Sequence, residues 1–274
     1  MPFLDVNGTR LYYEDTGGSG EPIVFSHGLL WSGRMFDKQV AALKDRYRCI
    51  TYDHRGQGQS DVWEVDTVDM ETVYADAVGL IEKLGVGPCH FLGLSMGGFV
   101  GMRLAARRPD LLRSLVLMET SADPEPPENI PKYKRLNLVA RWLGLGLVTD
   151  PVMGIMFGRT FLEDPARSAE RKEWKRRLKE NRRDIWRAVN GVIQRRGVYE
   201  ELPRIKTPTL ILVGEEDVAT VPAKAECLHG AIAGSKLVRM PRGGHTSTVE
   251  EAGLVNPALA GFLEDVSPGK QQVG

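Results

Sequence analysis

An α/β fold, with a mostly parallel sheet covered by helices on both faces, is what this sequence predicts, and two patterns predict it. Short apolar runs of strand length alternate with stretches of helical period through most of the chain. One long stretch, residues 123–198, interrupts that alternation and carries no strand run at all. Strand–helix–strand repetition builds a parallel sheet because each crossover returns the chain to the same end of the sheet.

The elements follow in order. Residues 3–6 and 10–14 flank Asn7-Gly8, a dipeptide that accepts the positive φ angles of a tight hairpin, so they form an antiparallel edge. Runs at 22–26 and 48–52 are continuously apolar, as strands buried on both faces are, and residues 35–43 between them have helical period. Further strands are expected at 89–94, 114–118, 209–213 and 237–240, with helices at 70–84, 99–107 and 222–228. Residues 1–122 and 199–266 then make the core, and 267–274 a frayed tail.

The strandless stretch opens with Pro124, Pro126, Pro127 and Pro131, a density that marks a hinge. Residues 136–147, 151–161 and 166–196 beyond it read as helices, so 123–198 is a helical insertion between the sixth and seventh strands. The basic run at 171–183 is interleaved with Glu173 and Glu180 and flanked by Glu170 and Asp184 at helix-pairing distances, which describes a solvated helix face.

Composition narrows the function classes. The 274 residues carry 36 Lys and Arg against 36 Asp and Glu, a formal net charge of zero, which favours neither nucleic acid nor an anionic membrane as partner. No apolar run approaches the roughly 18 residues of a membrane span. No basic-then-apolar leader opens the sequence, so a reducing cytoplasm is the expected location. Three cysteines without Cys-x-x-Cys spacing suit that setting, with Cys49 and Cys89 in strand runs as buried thiols. Gly56-Gln57-Gly58 and Gly144-Leu145-Gly146 lack the third glycine and the context of a dinucleotide site, and no metal-ligand spacing occurs, so no cofactor and no metal are expected.

The chemistry-bearing motif is Gly93-Leu94-Ser95-Met96-Gly97, between a strand and a helical pattern. A Gly-x-Ser-x-Gly turn of this kind strains the serine backbone and lifts its hydroxyl above the sheet edge, where the helix start offers N–H groups to developing negative charge. A serine hydroxyl needs a base. Of the five histidines, His245 follows the last strand in Gly243-Gly244-His245, at the carboxyl edge where parallel sheets place their chemistry. The strand at 209–213 runs into Gly214-Glu215-Glu216-Asp217, which offers the acid partner; Asp217 is preferred, with Glu216 as the alternative. The order Ser, Asp, His along the chain suits this arrangement. An oxyanion site would draw on the N–H of Met96 and of Leu29, in the bend Ser26-His27-Gly28-Leu29-Leu30, with His27 holding the bend.

Taken together, His27-Gly28, Asp53-His54-Arg55-Gly56-Gln57-Gly58-Gln59-Ser60, the Ser95 motif, Gly214 to Asp217 and Gly244-His245 resemble the α/β-hydrolases, over essentially the whole chain. Within that family the chain is similar to cap-bearing, cofactor-free serine esterases, enol-lactonases and non-haem haloperoxidases. The resemblance implies an eight-stranded sheet, a helical cap over the site and the 53–60 loop as a structural brace. A serine at position 95 departs from the haloalkane dehalogenases and epoxide hydrolases, which use aspartate there.

The expected activity is hydrolysis of a small carboxylic ester through an acyl-enzyme. A lactone or a C–C bond substrate, or a receptor that binds without turnover, are the alternatives. Trp31, Trp142, Met153, Met156 and Phe157, with Leu143, Leu147 and Ile155, are candidates for an apolar pocket and equally for the insertion's own packing.

Overall fold

The computed structural model describes residues 2–61 and 65–267. The expected tail therefore lies outside the described residues except for Ser267, whose hydroxyl sits 2.8 Å from a Glu21 carboxylate oxygen.

Eight strands form one sheet: β1 (Phe3–Val6), β2 (Thr9–Asp15), β3 (Glu21–Ser26), β4 (Tyr47–Tyr52), β5 (Cys89–Leu94), β6 (Leu112–Met118), β7 (Thr209–Gly214) and β8 (Lys236–Met240). Their spatial order is β1-β2-β4-β3-β5-β6-β7-β8. Only the pairings of β1 with β2 and β2 with β4 are antiparallel; the rest are parallel. At the β1–β2 turn Asn7 and Gly8 have φ of 44° and 71°, the doubly positive geometry that twists with its strands.

The described residues also form eleven α-helices: α1 (Asp37–Leu43), α2 (Met70–Leu84), α3 (Met96–Arg107), α4 (Ile130–Leu143), α5 (Thr149–Met156), α6 (Arg159–Glu163), α7 (Ser168–Lys179), α8 (Trp186–Ile193), α9 (Pro222–Ala231), α10 (Ser247–Glu250) and α11 (Ala252–Val266). Local chemistry sets their ends. Asp69 caps α2 by accepting the Thr72 N–H at 2.7 Å, and Gly85 closes it at φ 62°. Pro131 stands in the first turn of α4, where its missing N–H costs nothing, so the proline cluster leads into a helix.

Alternation along each central strand divides the core. Val24, Phe91, Leu115, Leu117, Ile211 and Val213 face the layer of α2, α3 and α9. Ile23, Phe25, Leu92, Val116, Leu210 and Leu212 face α1 and α11 on the other side. Such side chains contribute about 1.5–3 kcal/mol each when fully buried.

Helices α4 to α8 lie between β6 and β7, and buried side chains of this stretch join the second of these layers through Phe157, Phe161 and Trp174. The charged helix α7 pairs Glu173 with Arg176 and Arg177 on its partly exposed face. Helix α11 has no counterpart in the sequence expectations, because Gly253, Pro257 and Gly261 break its propensity and burial of Val255, Leu259, Phe262 and Leu263 stabilises it instead.

Candidate active site

Ser95 stands between β5 and α3 at φ 52° and ψ −110°, a conformation that costs a non-glycine residue about 1–3 kcal/mol. Its surroundings hold it there. The Ser95 N–H donates to Met118 O at 2.8 Å, and the Thr120 hydroxyl donates to Ser95 O at 2.8 Å. The flanking glycines are required by close approach: a Cβ on Gly97 would lie 1.9 Å from Ser26 O, and one on Gly93 would lie 2.3 Å from Gly97 O. Backbone of the helix start is thereby pressed against β3, with the serine at the crest.

The loops after β7 and β8 bring two further side chains to that crest. His245 Nε2 is 2.8 Å from Ser95 Oγ, and His245 Nδ1 is 2.8 Å from Asp217 Oδ2. All three residues are less than one-tenth exposed. Asp217 is itself fixed: Oδ1 accepts the N–H groups of Ala219 (2.8 Å) and Thr220 (2.9 Å), and Oδ2 accepts the Thr220 hydroxyl (2.7 Å). Glu216, the alternative acid, turns to the insertion and accepts the Thr160 N–H at 2.7 Å and hydroxyl at 2.6 Å. Thr220 and Thr120 carry no recognisable pattern in the sequence, since only the folded loops bring them to Asp217 and Ser95.

Loop 27–30 passes directly beneath the serine: a Cβ on Gly28 would lie 3.5 Å from Ser95 Cβ. His27 Nε2 accepts the His54 N–H at 2.9 Å, which leaves Nδ1 as the donor to Gly28 O at 2.7 Å. The Leu30 N–H donates to Gln57 Oε1 at 2.9 Å. Asp53 braces the same region by accepting the N–H groups of Gly33 and Gln59, each at 2.8 Å. Met96 is the first residue of α3, so its N–H has no acceptor within the helix. Leu29 lines the same cavity as Ser95.

That cavity, of about 120 Å³, opens on Ser95 and His245 and is walled by apolar side chains including Leu29, Phe99, Leu136, Val148, Ile155 and Met156. Its polar lining includes Tyr133, Asn137, Thr220, Glu125 and Arg195. Arg195 is neutralised in place: its guanidinium lies 2.6 Å from Glu125, with both side chains under one-tenth exposed, and it also covers the Phe99 ring at 4.5 Å. Burial pushes the Tyr133 phenol up to about 12, so this hydroxyl stays neutral near neutral pH.

Six of the eight pocket candidates lie elsewhere. Met156 and Ile155 line the cavity. Trp142, Leu143 and Leu147 are each 67% exposed. Trp31 and Phe157 form an aromatic cluster with Trp174, ring centroids 5.0–6.1 Å apart, and Met153 is buried in the same core layer. The helix faces chosen by the tertiary packing decide this: Ala140 of α4 lines the cavity, and Trp142, two residues on, points away.

Behind Asp217 sits a carboxyl that sequence reasoning missed. Glu119, following β6 at φ 42°, is buried with neither oxygen in a hydrogen bond of ordinary geometry. Burial, with the charges of Asp217 and Glu250 nearby, pushes its pKa well above the usual carboxylate range. Among the described residues no three His, Cys, Asp or Glu side chains converge as a metal site, and no helix is long and apolar enough to cross a membrane.

Comparisons with known proteins agree with this architecture. The enol-lactonase of Burkholderia xenovorans superposes with a TM-score of 0.89 at 30% identity, covering 96% of this chain and 100% of that one. A thermophilic esterase from Thermogutta terrifontis superposes at 0.88 with 27% identity, over 96% and 98% of the two chains. RutD of Pseudomonas savastanoi pv. phaseolicola, named provisionally as a carbamate hydrolase, is 27% identical over 88% of this chain and 93% of its own. The sequence model of one family matches residues 23–258, and this chain belongs to it: the alpha/beta hydrolase family.

Proposed function

We propose that this protein is a serine hydrolase that cleaves small, neutral carboxylic esters through an acyl-enzyme. One observation carries the reading: an unbroken line from Asp217 through His245 to Ser95, each link 2.8 Å, that opens into an apolar cavity. In this reading Asp217 accepts the His245 Nδ1–H and fixes the tautomer that leaves Nε2 free to take the serine proton. Ser95 Oγ attacks the ester carbonyl, and the N–H groups of Met96 and Leu29 hold the resulting oxyanion. Each such donor is worth on the order of 10²–10³ in rate. His245 then protonates the leaving alcohol, and water attacks the acyl-enzyme by the same route in reverse.

Residues 123–198 act as the cap, supplying most of the cavity wall, and residues 1–122 and 199–266 supply the reacting groups. The neutralised Arg195 and the apolar lining support an uncharged acyl or aryl group over a carboxylate-bearing one. A lactone is the second reading, supported by the similarity to the Burkholderia enol-lactonase over both whole chains. It requires the same three residues.

The test is hydrolysis of 4-nitrophenyl esters of graded acyl length beside a matched lactone series, with Ser95→Ala as control. Loss of turnover in the variant is the expected result, and full activity in Ser95→Ala overturns the proposal. A lactone preference over the matched open ester would select the second reading.

A further inference from the structure

Glu250, at the end of α10, is buried and has no role in the chemistry above. Its carboxylate nevertheless grips both neighbours of His245. Oε2 accepts the Gly244 N–H at 3.1 Å, and Oε1 accepts the Thr246 N–H at 3.1 Å. Oε2 also accepts the Gly158 N–H, from the insertion, at 2.8 Å. The Thr246 hydroxyl adds a second tie by donating to Met156 O at 2.7 Å. The two backbones meet without clearance, since a Cβ on Gly244 would lie 2.0 Å from Gly158 N and 2.6 Å from Phe157 C.

Met156 lines the cavity beside Ser95, so this contact joins the cavity wall to the histidine loop. We propose that Glu250 is the positioning residue for His245: one carboxylate sets the histidine loop against Ser95 and locks it to segment 156–158 of the insertion. The proposal rests on the reading of Ser95 and His245 given above. Its physical basis is that a misplacement of about 1 Å in a reacting pair costs about 100-fold in rate. Gln at this position keeps the size but turns an NH₂ toward amides that need an acceptor.

The charge state of the clamp adds a signature. Burial pushes the Glu250 carboxyl up to about 7, the three amides opposing that rise and the Asp217 charge adding to it. Glu119 faces it as a further acid, and Arg167 donates to the Glu250 carbonyl at 2.8 Å on the other side. A protonated carboxyl has one oxygen fewer to offer the amides, so the grip loosens as pH falls through the value near 7.

The experiment uses the full chain and its Glu250→Gln and Thr246→Val variants. It measures the rate at which a fluorophosphonate labels Ser95, with kcat and KM for 4-nitrophenyl butyrate across the acid limb of the pH profile. For Glu250→Gln the labelling rate and kcat are expected to fall about 10- to 100-fold with KM within about threefold. The acid limb should also become shallower. Labelling as fast as in the native protein overturns the proposal, as does a rise in KM at unchanged kcat. If Glu250→Gln does not fold, Thr246→Val reports alone: a loss of about three- to tenfold in labelling supports the clamp, and none overturns it. Native protein that takes no label at all brings down the reading of Ser95, and the clamp with it.

Discussion

The Thr220 hydroxyl donates to Asp217 Oδ2 at 2.7 Å, and the same oxygen faces His245 Nδ1 at 2.8 Å. Threonine and histidine therefore share one acceptor, and the threonine oxygen lies 3.3 Å from the histidine nitrogen. Thr220→Val keeps the shape and removes the donor. Its kcat is expected to fall about three- to tenfold, against a loss on the order of 10⁴ for Asp217→Asn, which inverts the tautomer. Steady-state kinetics of the two variants side by side check the ranking, and equal losses would mean that Thr220, not the carboxylate, sets the ring.

Glu119 makes stability depend on pH in a known direction. Its folded pKa is raised well above the ordinary glutamate value of 4.5, so between those two values the folded chain binds more protons than the unfolded one. Its contribution therefore falls as pH rises through that window. Thermal melts of Glu119→Gln should show a Tm at or above that of the native protein at alkaline pH, with the advantage vanishing in acid. A variant that is less stable in alkali would show that ionised Glu119 is held by a partner.

The buried Glu125–Arg195 pair gives a test of substrate charge. Removing one partner of such a pair costs about 3–5 kcal/mol, because the other is left uncompensated. Glu125→Gln should lower Tm accordingly and leave a cation in the cavity wall. Esters of a dicarboxylic acid with one free carboxylate should then gain relative to neutral esters of equal length. An unchanged ratio would separate Arg195 from substrate recognition.

The strands were legible because buried parallel strands are mainly apolar, as 23–25 and 49–50 are at the centres of two such runs, and few other elements read that way. Ser95 was legible as a candidate because two glycines at fixed offsets answer a local steric demand: a Cβ on Gly97 would lie 1.9 Å from Ser26 O. His245 needed only its place after the last strand. The choice between Asp217 and Glu216 was weaker, since adjacent residues differ only in which way a turn throws them. The cavity wall was legible only at Ile155 and Met156: Ala140 and Trp142 exchange the places that hydrophobicity suggests, because helix rotation is settled by neighbours distant in the chain. Glu119, Thr220 and Glu250 escaped notice for the same reason, as each acts through partners that only the fold supplies.

Most of the cavity wall comes from one unbroken stretch, residues 125–195, while Ser95, Asp217 and His245 all lie outside it. Under the proposed function, what reacts and what is admitted are thus written in separate passages of the chain. A lineage can redraft the second passage by insertion, deletion or recombination and keep the first intact. Among the contacts it must preserve are two close backbone approaches, Gly158 against Gly244 and Gly191 against Val68, where an added Cβ would lie 2.0 Å from Gly158 N and 1.8 Å from Val68 O.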